Sequence, residues 1–193
     1  MKSLAIGGLL VLAAAFFRVL PHPANVTPIA AMALAGGVYL DRRFSLAIPL
    51  AALFISDLFI GFHSTMPYVY GSFVAMGLIG LWLRSHKSVP PIVGGVVASS
   101  ILFFLVTNFG VWASGSEWAY PRTWEGLIAC YTAAIPFFRN TLVGDLVSAG
   151  VLFTMFELTE RWTRAQDEAA AYLHTLQKEK QKDDKPSLKF AGR

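Results

Sequence analysis

The sequence predicts an all-α integral membrane protein, a bundle of six transmembrane helices with both termini in the cytoplasm. Hydrophobic residues make up 55% of the 193 residues and charged residues only 15%, whereas soluble domains carry about 25% charged residues. The charges are sparse from Ser3 to Leu158 and dense in the rest of the chain. This division predicts a six-helix transmembrane domain over residues 1–158 and a charged cytoplasmic tail, helical and then disordered, over residues 159–193.

The apolar runs are separated by proline-containing, polar or basic turns, and a membrane-crossing helix needs about 20 mostly apolar residues. The predicted segments are 3–20, 27–40, 44–62, 68–83, 92–113 and 137–158. The first segment is expected to be retained, because no clear cleavage site precedes a soluble domain. We expect a short surface helix over residues 124–134, a break at Pro136, and an amphipathic charged helix from Thr159 to about Lys185.

Basic residues give the orientation, because Lys and Arg concentrate in the cytoplasmic loops of membrane proteins. With six crossings, Lys2, the Arg42-Arg43 pair, the basic turn at residues 84–87 and the Lys-rich tail all fall on one side. The opposite loops, 21–26, 63–67 and 114–123, contain a single basic residue, Arg122. A seventh crossing by residues 124–134 would place the basic tail outside, which argues against it.

Polar residues occur within the apolar segments or at their ends: Arg18, Asp57, Asn108, Arg139, Asn140 and Asp145. An ionisable side chain at the centre of a bilayer costs about 2.5–3.5 kcal/mol and usually faces a partner or a cavity. Counted from the loops at 1.5 Å per residue, all of them are predicted to lie in the outer half of the membrane. We interpret them as a water-filled pocket, open to the outside, that binds a polar ligand.

Two alternatives remain for the charged members of this group. Arg18 can pair with Asp57, and Arg139 with Asp145, as structural locks between helices. Either arginine can instead extend towards the lipid headgroups.

The predicted outer loops add further candidates for the binding site. His22 and Asn25 lie in a proline-bounded turn, and Trp112 precedes a loop that contains Trp118, Tyr120 and Trp124. The aromatic side chains are expected either to form the interfacial belt of a membrane protein or to cover a ring-containing ligand.

Several classes of function have little support in the sequence. His22 and His63 are isolated and do not predict a metal site, and no nucleophile elbow, phosphate loop, HExxH or CxxC motif is present. We therefore expect neither an enzyme nor a bound cofactor. The basic residues sit at segment ends and in the tail, so nucleic-acid binding is not expected. The single Cys130 excludes an internal disulfide.

Two stretches resemble the substrate-binding S-components of energy-coupling factor (ECF) vitamin transporters. The first is NVTPI at residues 25–29, which leads into an Ala/Gly-rich segment and the basic turn at residues 41–43. The second is IPFFRNTLVGDL at residues 135–146, where Pro136 opens the last segment and Gly144-Asp145 follow within it. The resemblance covers about residues 3–158 and agrees in segment number, size and orientation.

This resemblance implies a protein of the bacterial inner membrane that captures a vitamin or related micronutrient from outside. Its partners would be an ECF energising module, composed of a transmembrane subunit and ATPases, or none if the protein is a solitary, cobalamin-type member. Family members usually carry an Ala-xxx-Ala pair for that module on the first helix, whereas the clearest pair here, Ala31 and Ala35, is on the second. For a corrinoid ligand, Cys130 and His22 are the candidate cobalt ligands; otherwise Cys130 is a packing residue.

Two hypotheses follow. In the first, the chain binds and takes up a micronutrient through the outer site. In the second, it is a non-transporting scaffold or assembly subunit whose polar residues lock helices together and whose tail docks a cytoplasmic partner. A cavity in the outer half would favour the first hypothesis, and an outer half filled by side-chain pairs would favour the second.

Overall fold

The computed structural model describes residue 16 and residues 29–115 and 120–183. All regular elements in these residues are helices. They are α1 (Ile29–Tyr39), α2 (Arg42–Ser45), α3 (Ala47–Ile60), α4 (Met66–Leu83), α5 (Val89–Ser114) and α6 (Trp124–Asp183). Apart from residue 16, the first predicted segment lies outside the described residues, as do Arg18, His22, Asn25 and Trp118.

The predicted segments 27–40, 44–62, 68–83 and 92–113 are observed within a few residues as α1, α2 with α3, α4 and α5. Asp41 caps α2, because its Oδ1 accepts a hydrogen bond of 3.0 Å from the backbone N–H of Arg43. At the start of α5, Pro90 and Pro91 lie inside the first turn rather than before the helix. Proline is tolerated there because the N–H groups of a first turn have no intrahelical partner.

The prediction of a helix break at Pro136 is wrong. A single helix of 60 residues, α6, runs from Trp124 to Asp183 with Pro136 in its interior. The expected surface helix over residues 124–134, the last apolar segment and the charged tail helix are therefore parts of one element. Proline removes one hydrogen bond, but a broken helix in a bilayer would leave several backbone groups without partners.

The described helices have the composition of a membrane protein. Four spans are long and apolar enough to cross a bilayer, and one shorter apolar helix accompanies them at Ala30–Tyr39. The four spans are Arg42–Ile60, Met66–Leu83, Val89–Ser114 and a part of Trp124–Gln181. Only about 20 residues of a helix are needed to cross the hydrocarbon core, so much of α6 is not required for crossing.

The short helix α1 lies in the core of the bundle. Every residue from 30 to 38 is buried, as expected for a helix that is apolar on all faces. Gly37 meets α4 so closely that a Cβ atom added to it would lie 2.5 Å from the carbonyl carbon of Gly80. Ala31 and Ala35 are 1% and 0% exposed. They pack inside the bundle and do not form an external docking face.

The end of α1 is held by Arg84, which follows α4. Its Nε donates to the carbonyl oxygen of Gly37 at 3.0 Å, and its Nη2 donates to that of Leu40. Carbonyl groups in the last turn of a helix have no intrahelical donor and carry partial negative charge, so a guanidinium group stabilises them. Lys87 Nζ lies 4.5 Å from the centre of the Tyr39 ring. The C-terminal ends of α1 and α4 therefore share one end of the bundle, here called the basic end.

The opposite end contains the 61–65 loop, the end of α5 and the start of α6, and is here called the aromatic end. Ser114 Oγ donates to the carbonyl oxygen of Ser64 at 3.5 Å. Beyond Ser114, the Arg122 guanidinium donates to the carbonyl oxygen of Ala113 at 3.0 Å and holds the start of α6 close to the end of α5.

The chain divides into two compact units, Met1–Phe153 and Thr154–Arg193. In the second unit, the described residues continue α6 as an exposed helix up to Asp183. Ion pairs between residues four apart, Glu157–Arg161 at 3.2 Å and Glu160–Arg164 at 2.9 Å, stabilise this helix.

Candidate functional site

Asp57 lies in the last turn of α3, near the aromatic end, and is 1% exposed. It faces inward together with Leu53 and Ser56 on the buried side of the helix. The Tyr70 hydroxyl, from the second turn of α4, donates to Asp57 Oδ2 at 2.9 Å. Asp57 thus links α3 to α4 inside the bundle.

Asp145 links α5 to α6, but at a different depth from the one predicted. It is buried, and the Ser100 hydroxyl donates to its Oδ2 at 2.7 Å. Ser100 lies about three turns from Val89 and about four turns from Ser114, so Asp145 is near the middle of the bundle rather than in its outer half. The predicted depth was wrong because it assumed a helix that starts at Phe137, whereas α6 begins at Trp124.

Arg139 and Asn140 do not begin a helix, as was predicted, but lie about four turns after Trp124. Asn140 is half-buried, and Arg139 is exposed. Among the described residues, Arg139 forms no ion pair, and Asp145 bonds to Ser100 instead. The lock between Arg139 and Asp145 that the sequence allowed is therefore not formed.

Trp112 stabilises the loop at the aromatic end. Its Nε1–H donates to the carbonyl oxygen of Pro121 at 3.0 Å, and its ring packs 5.5 Å from that of Phe109. Trp124 is 77% exposed at the start of α6, a position typical of an interfacial aromatic residue.

The two candidate metal ligands that the structure describes have other partners. Cys130 is buried, and its thiol donates to the carbonyl oxygen of Asn108 at 3.5 Å, as expected of a packing residue. His63 Nδ1 lies 2.7 Å from Thr65 Oγ1. Within residues 29–115 and 120–183, no group of three His, Cys, Asp or Glu side chains is placed to hold a metal ion.

A cavity of about 230 Å³ lies between α4, α5 and α6, on the aromatic-end side of the Ser100–Asp145 bond. Aromatic rings form most of its wall: Phe103, Phe104, Phe137 and Phe138. Val69, Val111 and Ala134 complete its apolar surface. The rings also pack on each other, since the centres of Phe104 and Phe138 are 4.9 Å apart.

The polar side of the cavity consists of Thr107, Asn108 and Thr141. Each donates to a carbonyl oxygen four residues earlier in its own helix, at 2.7 Å for Thr107 and Asn108 and 3.1 Å for Thr141. The two threonine hydroxyl donors and one of the two Asn108 amide N–H groups are thus occupied, so three oxygen acceptors face one remaining N–H donor on this side of the cavity. The cavity therefore favours a ligand that donates hydrogen bonds.

Of the described residues proposed from the sequence, Asn108 lines this cavity. Asp57 and Asp145 are not among its lining residues and instead accept hydrogen bonds from Tyr70 and Ser100. The phenylalanines and the two threonines were missed, because composition alone places them among ordinary membrane-facing residues. The repeated Phe-Phe pairs at 103–104 and 137–138, in two segments predicted to be antiparallel, were the signal that could have revealed them.

Comparison with known proteins identifies the family. Residues 1–169 match DUF6580, which is described as a family of unknown function. The chain belongs to DUF6580. No curated protein and no solved structure matches it.

The lining of the cavity in this DUF6580 protein suits a neutral, ring-containing molecule better than a charged one. None of the described residues that line it is ionisable. A charged ligand would have to lose its hydration without gaining an ion pair, which is costly in an apolar site. A neutral ring can instead pack against the four phenylalanines and donate to Asn108.

Proposed function

We propose that this chain binds a vitamin or related micronutrient from the extracytoplasmic side of the bacterial inner membrane and mediates its uptake, as ECF S-components do. The observation that carries the proposal is the phenylalanine-lined cavity with a polar side at Thr107, Asn108 and Thr141. A cavity supports the proposal because an uptake protein needs space for a ligand, whereas a scaffold subunit does not. The chain then acts in transport and not in catalysis.

The proposed topology has six crossings and cytoplasmic termini. Arg42, Arg43, Arg84 and Lys87 lie at the basic end, which is cytoplasmic in this proposal. The cavity then lies between the middle of the membrane and the extracytoplasmic surface. The crossing by the first segment remains a prediction from sequence.

The size of the cavity restricts which ligands can fit into it. Sites for drug-sized ligands usually measure about 300–1,000 Å³, and this cavity is smaller, at about 230 Å³. It favours a molecule with one ring system over a corrinoid. The buried position of Cys130 and its bond to Asn108 agree with this, because a cobalt ligand would need a free thiol facing the cavity.

The first test is native mass spectrometry of the detergent-extracted protein, with identification of any bound small molecule. We expect a stoichiometric neutral, ring-containing compound in the wild type. Asn108→Leu removes the acceptor for the ligand, so we expect affinity for the identified compound to fall roughly 5- to 100-fold. Thr141→Val should also weaken binding of the identified compound.

Thr159→Val is a matched control for Thr141→Val. Both hydroxyl groups donate to the carbonyl four residues earlier, but Thr159 is exposed and outside the cavity. Equal affinity of the wild type, Asn108→Leu and Thr141→Val for the compound would contradict the assignment of the site.

The second candidate function, a scaffold or assembly subunit, is favoured by one observation. The helix beyond Thr154 exposes large apolar side chains, including Trp162, Tyr172 and Leu176, which are typical of a surface that binds another protein. A protein that carries no small molecule, even from vitamin-replete cells, but copurifies with a cytoplasmic partner would favour this function over uptake.

A further inference from the structure

A second hollow, a groove of about 500 Å³, runs along the outer face of α5 and α6. Its walls include Leu105, Ile128, Tyr131 and Ile135. Leu105 is 49% exposed and Ile128 64% exposed, so the groove opens on a surface that faces lipid in a membrane-spanning bundle.

The groove and the cavity share one wall, the side chain of Phe104. Its ring packs between Tyr131, with ring centres 5.5 Å apart, and Phe138, with centres 4.9 Å apart. Tyr131 lines the groove and Phe138 lines the cavity. Phe104 therefore stands between the lipid-facing surface and the candidate binding site, and a change of its rotamer would join the two spaces.

The groove offers an apolar surface along its length. Its two hydroxyl groups bond within the protein: the Tyr131 hydroxyl donates to the carbonyl oxygen of Leu105, and Thr132 Oγ1 donates to that of Ile128, both at 2.7 Å. A molecule moving along it would therefore meet hydrocarbon and aromatic surfaces and few free donors. Such a path suits a neutral compound that partitions into the bilayer.

We propose that the ligand reaches the cavity sideways from the bilayer, through this groove, and that Phe104 is the gate. The inference rests on the proposed function for the identity of the cargo. It narrows the substrate class to neutral, ring-containing molecules that dissolve in lipid and carry a hydrogen-bond donor for Asn108. The Phe104 side chain controls access to the cavity and takes part in no chemical step.

The test measures access to the cavity without any ligand. Cys130→Ala removes the native thiol. In that background, Ala134→Cys places a thiol on the cavity wall, and Thr141→Cys replaces it if the Ala134→Cys protein does not fold. Full-length protein in liposomes is treated with N-phenylmaleimide, which is neutral and enters lipid, or with a charged maleimide that stays in water. Labelling is followed by intact-protein mass spectrometry.

The expected result is labelling by N-phenylmaleimide and little labelling by the charged reagent. Phe104→Ala should raise the N-phenylmaleimide rate by about tenfold, the factor expected when two ring contacts that hold the gate closed are removed. Phe137→Ala is the matched control: Phe137 is 47% exposed and lines the cavity but not the groove. It should change the rate less than about threefold.

Two results would overturn the proposal. The first is equally fast labelling by the charged reagent, which would show access from water. The second is acceleration by Phe137→Ala equal to or above that by Phe104→Ala, which would place the opening elsewhere. Rates are compared within one cysteine variant, so the intrinsic reactivity of the buried thiol cancels. Failure of the proposed function would appear separately, as an absence of any bound compound.

Discussion

At the residue scale, buried carboxyl groups are bonded by hydroxyl groups from neighbouring helices. Tyr70 donates to Asp57 across α3 and α4, and Ser100 donates to Asp145 across α5 and α6. Burying a polar group without a hydrogen bond costs several kcal/mol, so each bond offsets part of the cost of placing a carboxyl group inside the bundle. Each bond also fixes the rotation of one helix against the next.

Ser100→Ala tests the contribution of one such bond. It removes the hydroxyl that bonds Asp145, and we expect the free energy of unfolding to fall by about 1–3 kcal/mol because a buried acceptor loses its donor. The measurement is reversible unfolding in detergent. Ser85→Ala is the control: its hydroxyl is exposed and bonds the Trp82 carbonyl oxygen, so its effect should stay within about 0.5 kcal/mol.

The double variant Ser100→Ala/Asp145→Ala shows whether the effect belongs to the pair. If the bond matters, the double variant should lose less stability than the two single variants together, with a coupling of about 0.5–3 kcal/mol. Strictly additive losses would mean that the 2.7 Å contact contributes no coupling energy.

At the element scale, the close crossing of α1 and α4 depends on glycine. A Cβ added to Gly80 would lie 2.5 Å from the Leu34 carbonyl oxygen, and the obstructing atom is backbone, which cannot move aside like a side chain. Between helices in a bilayer, close backbone approach supplies packing that the hydrophobic effect does not. The short α1, which is buried from residue 30 to residue 38, relies on this contact for its position.

Gly80→Ala should therefore destabilise the bundle by about 1–3 kcal/mol through overpacking. Gly71→Ala is a matched control on the same helix, because a Cβ there meets nothing within 4 Å. Alanine favours a helix over glycine, so this control should be neutral or more stable by about 0.5–1 kcal/mol. Thermal unfolding in one detergent measures both variants, and similar shifts for the two would contradict the close-packing argument.

At the scale of the whole molecule, charge separates the two ends of the bundle. Arg84 and Lys87 mark the basic end; at the aromatic end the 61–65 loop contains no Lys or Arg, and the Arg122 guanidinium bonds the Ala113 carbonyl oxygen. If the basic end is cytoplasmic, the cavity and the groove lie in the outer half of the membrane.

A pair of exposed serines tests this orientation. In the Cys130→Ala background, Ser64→Cys lies in the loop of the aromatic end and Ser85→Cys at the basic end. A membrane-impermeant maleimide should label Ser64→Cys in intact cells and label Ser85→Cys only after the membrane is opened. The reverse pattern would invert the proposed topology and place the cavity on the cytoplasmic side.

The sequence predicted the apolar helices from α1 to α5 because hydropathy is a property of each segment by itself. The prediction was wrong where a rule about local sequence conflicted with the environment of the helix. Pro136 breaks a helix in water, but in a bilayer no solvent is present to bond the freed backbone groups, and α6 continues through it. Because of that error, the predicted depths of Arg139, Asn140 and Asp145 in the membrane were wrong.

By itself, the sequence determined that this is a helical membrane protein, where its apolar segments lie, and that its charges crowd into a C-terminal helix. Local composition controls these features, since each helix must satisfy its own backbone and match the bilayer. Only the tertiary structure decided that Asn108 lines a cavity with four phenylalanines, while Asp145 turns to Ser100 and Arg139 turns outward. The direction of each side chain depends on how the helices rotate and approach one another. Contacts between residues far apart in the sequence, such as Gly37 with Gly80, control that arrangement.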